Sequence, residues 1–250
     1  MTLKEKVAII TGAGSGNGRQ IALALAREGA VAAIIDINKE NGDETLEMIK
    51  SQGGEGMSLK GNVSDAGVMK DAVSQVVKKY GRVDIMVNNA GIFDGQATFE
   101  TTDEETFEKI IAVNLKGVFL GTKYALESMV KQKHGVIINI SSVAGLRGGL
   151  ASPAYTASKH GIIGLTKDTA IQFGPDGIRA LAICPGMIDT AMTDEMLDNP
   201  SDETKALIES IPLRRVGQPQ EIGKLTAFLA SEDAGFITGS AVVIDGGMIS

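Results

Sequence analysis

Between Val7 and Asp36 the chain runs through an apolar strand, a glycine-rich turn, a helix, a second apolar strand and an acid. That order leaves few folds open. Val7-Ala8-Ile9-Ile10 is apolar without polar alternation, the pattern of a strand buried on both faces. Thr11-Gly12-Ala13-Gly14-Ser15-Gly16-Asn17-Gly18 follows. Arg19 to Glu28 carries helix formers, with Ile21 and Leu25 four apart, and Gly29 ends it. Val31 to Ile35 is the second strand, with Asp36 at its end. Such a unit binds dinucleotides: glycines let the backbone approach a pyrophosphate, and the helix N-terminus offers free N–H groups. Asp36, twenty residues past Gly16, is spaced for its carboxylate to accept from both ribose hydroxyls. The strict G-x-G-x-x-G spacing is not met, because Asn17 holds the third position and Gly18 comes after it. Four glycines alone describe a flexible turn; the flanking strands, helix and acid favour the binding unit.

The alternation continues to the C-terminus. Lys39 to Ser51 reads as a helix stopped by Gly53-Gly54, and Met57 to Gly61 as a strand followed by Asn62-Val63. Asp65 to Tyr80 is an amphipathic helix ending at Gly81, and Val83 to Val87 a strand before Asn88-Asn89-Ala90-Gly91. Thr102, with Glu105 three residues on, is the expected cap of the next helix. That helix has the stripe Phe107, Ile110, Ile111 and Leu115, and the helical pattern resumes from Gly117 to Gln132. Val136 to Ile140 is the fifth strand and Ile178 to Cys184 the sixth; Pro219 to Ala230 is a late helix and Ala241 to Ile244 a seventh strand. Strands alternating with helices predict a doubly wound α/β fold, a seven-stranded parallel sheet covered on both faces. Ligands bind such sheets beyond the carboxyl ends of the strands, where Thr11, Asp36, Asn62, Asn88, Ser142 and Pro185 fall.

Composition narrows the partners. With 250 residues, 43% of them hydrophobic, and no break in composition, one domain over 1–250 is expected. A net charge of −7 without a dense basic cluster argues against nucleic acid or an anionic membrane as the main partner. The lone Cys184 cannot form an internal disulfide, and His134 and His160 stand at no metal-like spacing, so no metal site is expected. The first apolar run is too short for a signal-peptide core or a membrane span, which points to a soluble cytoplasmic protein.

The chemistry concentrates in Ser152-Pro153-Ala154-Tyr155-Thr156-Ala157-Ser158-Lys159. Tyr155 and Lys159, four apart, share a helix face, and an ammonium near a phenol favours phenolate. A Tyr so tuned can exchange a proton with a substrate oxygen. Thirteen residues upstream of Tyr155, Ser142 follows Ser141 at the end of a buried strand. Alone, a Tyr/Lys pair is more often a solvated surface contact.

In these residues, and in Thr11-Gly12 with Gly16 and Gly18, Asn88 to Gly91, Asn114, and Pro185-Gly186 with Thr190, the chain resembles the short-chain dehydrogenase/reductase family over nearly its whole length. The resemblance implies a Rossmann-like domain with Tyr155 as general acid/base and Lys159 lowering its pKa and holding the nicotinamide ribose. It implies that Ser142 polarises the carbonyl and that Asn114 binds a water in a proton relay. Gly12, Ser15, Gly16, Asn17 and Gly18 would line the pyrophosphate site. Ile37, Asn62 and Val63 would lie on the adenosine side. Asn89, Ala90, Gly91, Pro185, Gly186, Ile188 and Thr190 would approach the nicotinamide half. Asn17 departs from the family's usual apolar residue. A homotetramer is also implied, with contacts along Lys116–Lys131 and Tyr155–Phe173.

Asp36 would repel a 2′-phosphate, neither Ser15 nor Ile37 supplies a cation, and Lys39 is the only one read as nearby, so the expected cofactor is NAD. Phe93, Val143, Leu150, Met187, Met192 and Met196 suggest a largely apolar pocket for an alcohol or ketone, under a lid from about 187 to 211. The leading expectation is an NAD-dependent interconversion of a secondary alcohol and a ketone. A 3-oxoacyl-thioester reductase shares every motif, although Asp36 disfavours the NADPH that biosynthetic reductions in this family usually draw on. A non-catalytic dinucleotide sensor is the remaining alternative.

Overall fold

The computed structural model describes residues 2–198 and 200–250, apart from the side chains of Glu195 and Met196. The first unit is β1 (Val7–Thr11), α1 (Gly16–Arg27) and β2 (Val31–Asp36), followed by α2 (Lys39–Ser51) and β3 (Gly56–Lys60). Next come α3 (Ala66–Tyr80), β4 (Ile85–Asn88), α4 (Glu104–Ile110), a π-helical turn at Ile111–Lys116, α5 (Gly117–Gln132) and β5 (Gly135–Ile140). The last part holds α6 (Pro153–Phe173), β6 (Ile178–Pro185), α7 (Asp194–Asp198), α8 (Asp202–Ser210), α9 (Pro219–Ala230) and β7 (Ala241–Ile244).

All seven strands pair in parallel, in the order β3-β2-β1-β4-β5-β6-β7. The strand order reverses between β1 and β4, which opens a crevice at their carboxyl ends. Successive strand residues serve opposite layers. Ile10, Ile34, Val87 and Ile138 pack with Ile21, Leu25, Ile49 and Leu229 from α1, α2 and α9. Ile9, Ile35, Met86 and Ile137 pack with Met69, Val73, Leu120 and Met129 from α3 and α5. Each fully buried side chain of this size contributes about 1.5–3 kcal/mol of burial free energy, so both layers hold the sheet. Among the described residues, no helix is long and apolar enough to cross a membrane.

Three local expectations change. Helix α1 starts inside the glycine loop at Gly16 rather than at Arg19. A Cβ at Gly18 would collide with the Gly12 carbonyl oxygen and the Asn89 amide, so only glycine lets this first turn pack so closely on the loop. The cap of α4 is Asp103, whose carboxylate accepts the Thr106 N–H at 2.7 Å; the Thr102 hydroxyl instead donates to Thr98 O. The helical stripe does not break before Gly117 but passes through the π-helical turn, and Phe107 of that stripe is exposed. Strand β5 also takes part in a buried polar ladder. Asn88 Nδ2 donates to Asn139 Oδ1 at 2.8 Å and to Thr122 Oγ1 at 3.1 Å, and Asn139 Nδ2 donates to Thr166 Oγ1 at 2.9 Å. The ladder ties α5, β4, β5 and α6 together, and both of its amide nitrogens are paired, while Asn88 Oδ1 is buried without a hydrogen-bond partner among the described residues.

Candidate functional site

A cleft of about 590 Å³ lies along the carboxyl edge of the sheet. One end is built from the β1–α1 loop. Ser15 precedes α1 and provides no side-chain cap, so the first-turn N–H groups remain available to an anion. Gly12, Ser15, Gly16, Asn17 and Gly18 all line this wall. Asp36 closes the rim: its Oδ2 accepts the Gly14 N–H at 2.7 Å and its Oδ1 the Asn38 N–H at 2.9 Å. A Cβ at residue 14 would stand 2.9 Å from that Oδ2, so the missing side chain makes room for the carboxylate. Carboxylate oxygens have further lone pairs for hydroxyl donors. Ile37, Asn62 and Val63 line the same end. An uncapped helix start, a fixed acid and an elongated cleft between them fit a dinucleotide.

The other end carries the proton chemistry. Pro153 in the first turn and the Ser152 side chain, which accepts the Tyr155 N–H at 3.1 Å, start α6 where Tyr155 and Lys159 face the cleft. The Lys159 ammonium stands 5.3 Å from the centre of the Tyr155 ring and donates to the Ile140 carbonyl at 2.9 Å. Ser141 and Ser142 divide their work. The Ser141 hydroxyl is buried and donates to the Lys159 carbonyl at 2.9 Å, whereas Ser142 accepts the Ala144 N–H and lines the cleft beside Tyr155.

The electrostatics differ from the sequence expectation. Burial pushes the Tyr155 phenol up to about 12; the hydrogen bond with Ser142 opposes this and the Asp94 charge adds to it. Burial also pulls Lys159 down to about 8. The ammonium was expected to lower the phenol, but in the protein alone desolvation is the larger effect on both groups.

Most of the residues singled out in the sequence meet here. Asn89, Ala90, Gly91, Pro185, Gly186, Ile188, Thr190 and Met192 also line the cleft. Others do not reach it. Thr11 sits behind the wall, its hydroxyl accepting the Asn89 and Ala90 N–H groups at 3.0 and 3.1 Å. Asn114 is fully buried in the π-helical turn, its amide paired with both backbone groups of Ile92 at 2.8 and 2.9 Å. It still neighbours Lys159, for a Cβ on Gly91 would lie 3.4 Å from Asn114 Oδ1 and 3.7 Å from Lys159 Nζ. Phe93 packs edge-on against the Tyr155 ring. Val143 is buried in the turn after β5, Leu150 lies outside the cleft wall, and Met187 lines a separate cavity of about 80 Å³ with Leu213 and Glu221. The Met196 side chain falls outside the described ones.

Two features escaped the sequence. Arg19, a cation close to Asp36, folds back so that its guanidinium donates to the Gly14 carbonyl, Thr45 Oγ1 and Glu44. Nothing local signals this, since Glu44 and Thr45 come from α2. The second is the pairing of Ser152 with Asp94, 58 residues apart.

A parallel sheet in this order with a cleft at its switch point defines a Rossmann-type α/β protein. The chain belongs to the short-chain dehydrogenase/reductase family of oxidoreductases. Residues 12–249 match the family model described as Enoyl-(Acyl carrier protein) reductase. An uncharacterized oxidoreductase of Thermotoga maritima is 45% identical over 257 residues, covering 99% of this chain and 98% of that protein. The 3-oxoacyl-(acyl-carrier-protein) reductase of the same organism is 41% identical over 249 residues, with both chains covered in full. The crystal structure of levodione reductase superimposes with a TM-score of 0.94 at 36% identity, covering 98% of this chain and 97% of that one.

Proposed function

We propose that the protein interconverts a secondary alcohol and a ketone with NAD(H). The observation that carries this reading is the convergence of Ser142, Tyr155 and Lys159 on the cleft that also holds the glycine loop and Asp36. A bound nicotinamide dinucleotide supplies the hydride in reduction and accepts it in oxidation. The Tyr155 hydroxyl gives its proton to the carbonyl oxygen in reduction and takes it from the alcohol in oxidation. The Ser142 hydroxyl donates a hydrogen bond to the same oxygen and polarises the carbonyl. Lys159, fixed by the Ile140 carbonyl, holds the nicotinamide ribose and favours phenolate when protonated. Asp36 accepts from the adenosine ribose hydroxyls and, already anchored at both oxygens, leaves no room for a 2′-phosphate. We place the substrate between Tyr155 and Met192, with 187–211 as a lid built on α7 and α8. Phe119 on α5 and Ile171 on α6 are exposed apolar side chains, which supports a homotetramer through these helices.

The full-length 41% identity to a 3-oxoacyl-(acyl-carrier-protein) reductase favours a second reading, reduction of a 3-oxoacyl thioester. Both are tested by one panel of secondary alcohols, ketones and 3-oxoacyl thioesters, followed by near-ultraviolet absorbance with NAD(H) and NADP(H) side by side. Turnover of a simple alcohol or ketone with NAD(H) is expected. Turnover of the thioester alone selects the second reading. Binding of NADH without turnover of any member selects a sensor.

A further inference from the structure

Phe93 meets the Tyr155 ring edge-on, with centroids 5.0 Å apart and planes at 78°. This contact brings the following residue, Asp94, against the start of α6. The Ser152 hydroxyl, at the N-cap of α6, donates to Asp94 Oδ1. The same Ser152 oxygen accepts the backbone N–H of Tyr155 at 3.1 Å. One hydroxyl therefore links the Asp94 carboxylate to the backbone of the proposed proton carrier. The second carboxylate oxygen, Asp94 Oδ2, is buried and has no hydrogen-bond partner among the described residues. Leaving a buried carboxylate oxygen without a donor is costly, and it leaves that charge poorly compensated. An uncompensated negative charge beside a phenol disfavours phenolate.

We propose that Asp94 is a positioning residue of this site: through Ser152 it pins the first turn of α6, and its charge keeps the Tyr155 hydroxyl in the proton-donating form. The inference rests on the reading of Tyr155 as the proton carrier. Three elements present polar groups to the phenol. Ser142 comes from the end of β5, Lys159 from α6 itself, and Asp94 from the loop after β4. Among the described residues that face the phenol, only Lys159 and Asp94 carry charge, and the Lys159 ammonium is drawn to the Ile140 carbonyl. The influence of Asp94 on the phenol has the required sign, raising its pKa. Asp94 thus adds to burial in holding the phenol protonated, against the hydrogen bond with Ser142.

The test compares Asp94→Asn with Ser152→Ala. Asparagine keeps an acceptor for Ser152 and removes the charge; alanine at 152 breaks the link and the cap but leaves the charge. Two readouts are taken: the alkaline limb of alcohol oxidation, and a rapid pH-jump titration of phenolate absorbance in the protein alone, with Tyr155→Phe subtracted to remove Tyr80 and Tyr124. Asp94→Asn is expected to move both downward by about one pH unit, the scale of one charge acting at moderate range in a partly buried site. Ser152→Ala is expected to lower thermal stability with little movement of either. Asp94→Ala, expected to give the same downward shift, replaces the asparagine variant if that one does not fold. Equal shifts for Asp94→Asn and Ser152→Ala, or no shift for Asp94→Asn, overturn the proposal. Were no alcohol or ketone turned over, the titration would still decide the role of Asp94, so failure of the functional reading is seen separately.

Discussion

Exchanging Asp36 for alanine together with Ile37 for arginine should turn the cofactor preference from NAD toward NADP. Asp36 cannot swing aside to admit a phosphate, because Gly14 and Asn38 hold its two oxygens at 2.7 and 2.9 Å. Arg19 cannot compensate, because its guanidinium is committed to the Gly14 carbonyl and to Glu44. Two unit charges 4 Å apart interact by about 1 kcal/mol in water and about 4 kcal/mol at an effective dielectric constant near 20. The cleft rim is wet, so about 1–2 kcal/mol per charge is the fitting range, and a 2′-phosphate carries roughly 1.5–2 charges. Wild type should therefore disfavour NADP by about 2–4 kcal/mol, or roughly 30- to 1,000-fold. The double variant removes this repulsion, and Ile37 is 67% exposed, so an arginine fits there without disturbing the core. A new surface ion pair contributes only about 1 kcal/mol, so most of the change comes from the lost carboxylate. The variant should also bind NADH less tightly, because the ribose hydroxyls lose their acceptor. Glu44→Gln, which frees Arg19, should move the preference the same way by a smaller amount. Catalytic efficiency with both cofactors, and NADH and NADPH affinity by fluorescence, measure these shifts. A wild type that already prefers NADPH refutes the reasoning about Asp36 and makes the thioester reductase the better reading.

Tyr155→Phe should lower turnover by at least about 10²–10⁴-fold while NADH affinity stays near wild type, since only the proton carrier is lost; near-normal turnover contradicts its role. Lys159→Ala should lose both rate and NADH affinity, and unchanged affinity by fluorescence titration would remove its ribose contact. Because burial holds the phenol up at about 12, it is protonated through neutral pH, so oxidation should accelerate with rising pH while reduction stays level until the alkaline range. A flat oxidation profile, with a primary isotope effect showing that hydride transfer limits the rate, would falsify that sign. Gly18→Ala should destabilise the protein by about 1–3 kcal/mol and weaken NADH binding, because its Cβ meets the Gly12 carbonyl and the Asn89 amide; an unchanged melting temperature would show that the loop yields freely.

The sequence determined most of the sheet because most strands are short local runs of mainly apolar residues that end at a turn or polar residue. Val7–Ile10, Val31–Ile35 and Ala241–Ile244 could be read without knowing what they pair with, and the strand-end residues Asp36, Asn62 and Ser142 were legible for the same reason. The pairing of Tyr155 with Lys159 was legible too, since helical periodicity fixes residues four apart. Tertiary structure decided what depends on distant segments. The side chain of Asn139 finds its partners, Asn88 and Thr166, on two neighbouring elements. Met187 and Val143 read as pocket residues in the sequence because their loops follow strand ends; in the fold Met187 lines a separate small cavity and Val143 is buried. Arg19 and Asp94 are assigned by partners 25 and 58 residues away, at Glu44 and Ser152. The Tyr155 phenol shows the division most clearly. The neighbouring ammonium is a local fact legible from spacing, whereas burial is a property of the whole fold, and in the folded protein it is burial that raises the phenol, opposed by the Ser142 hydrogen bond.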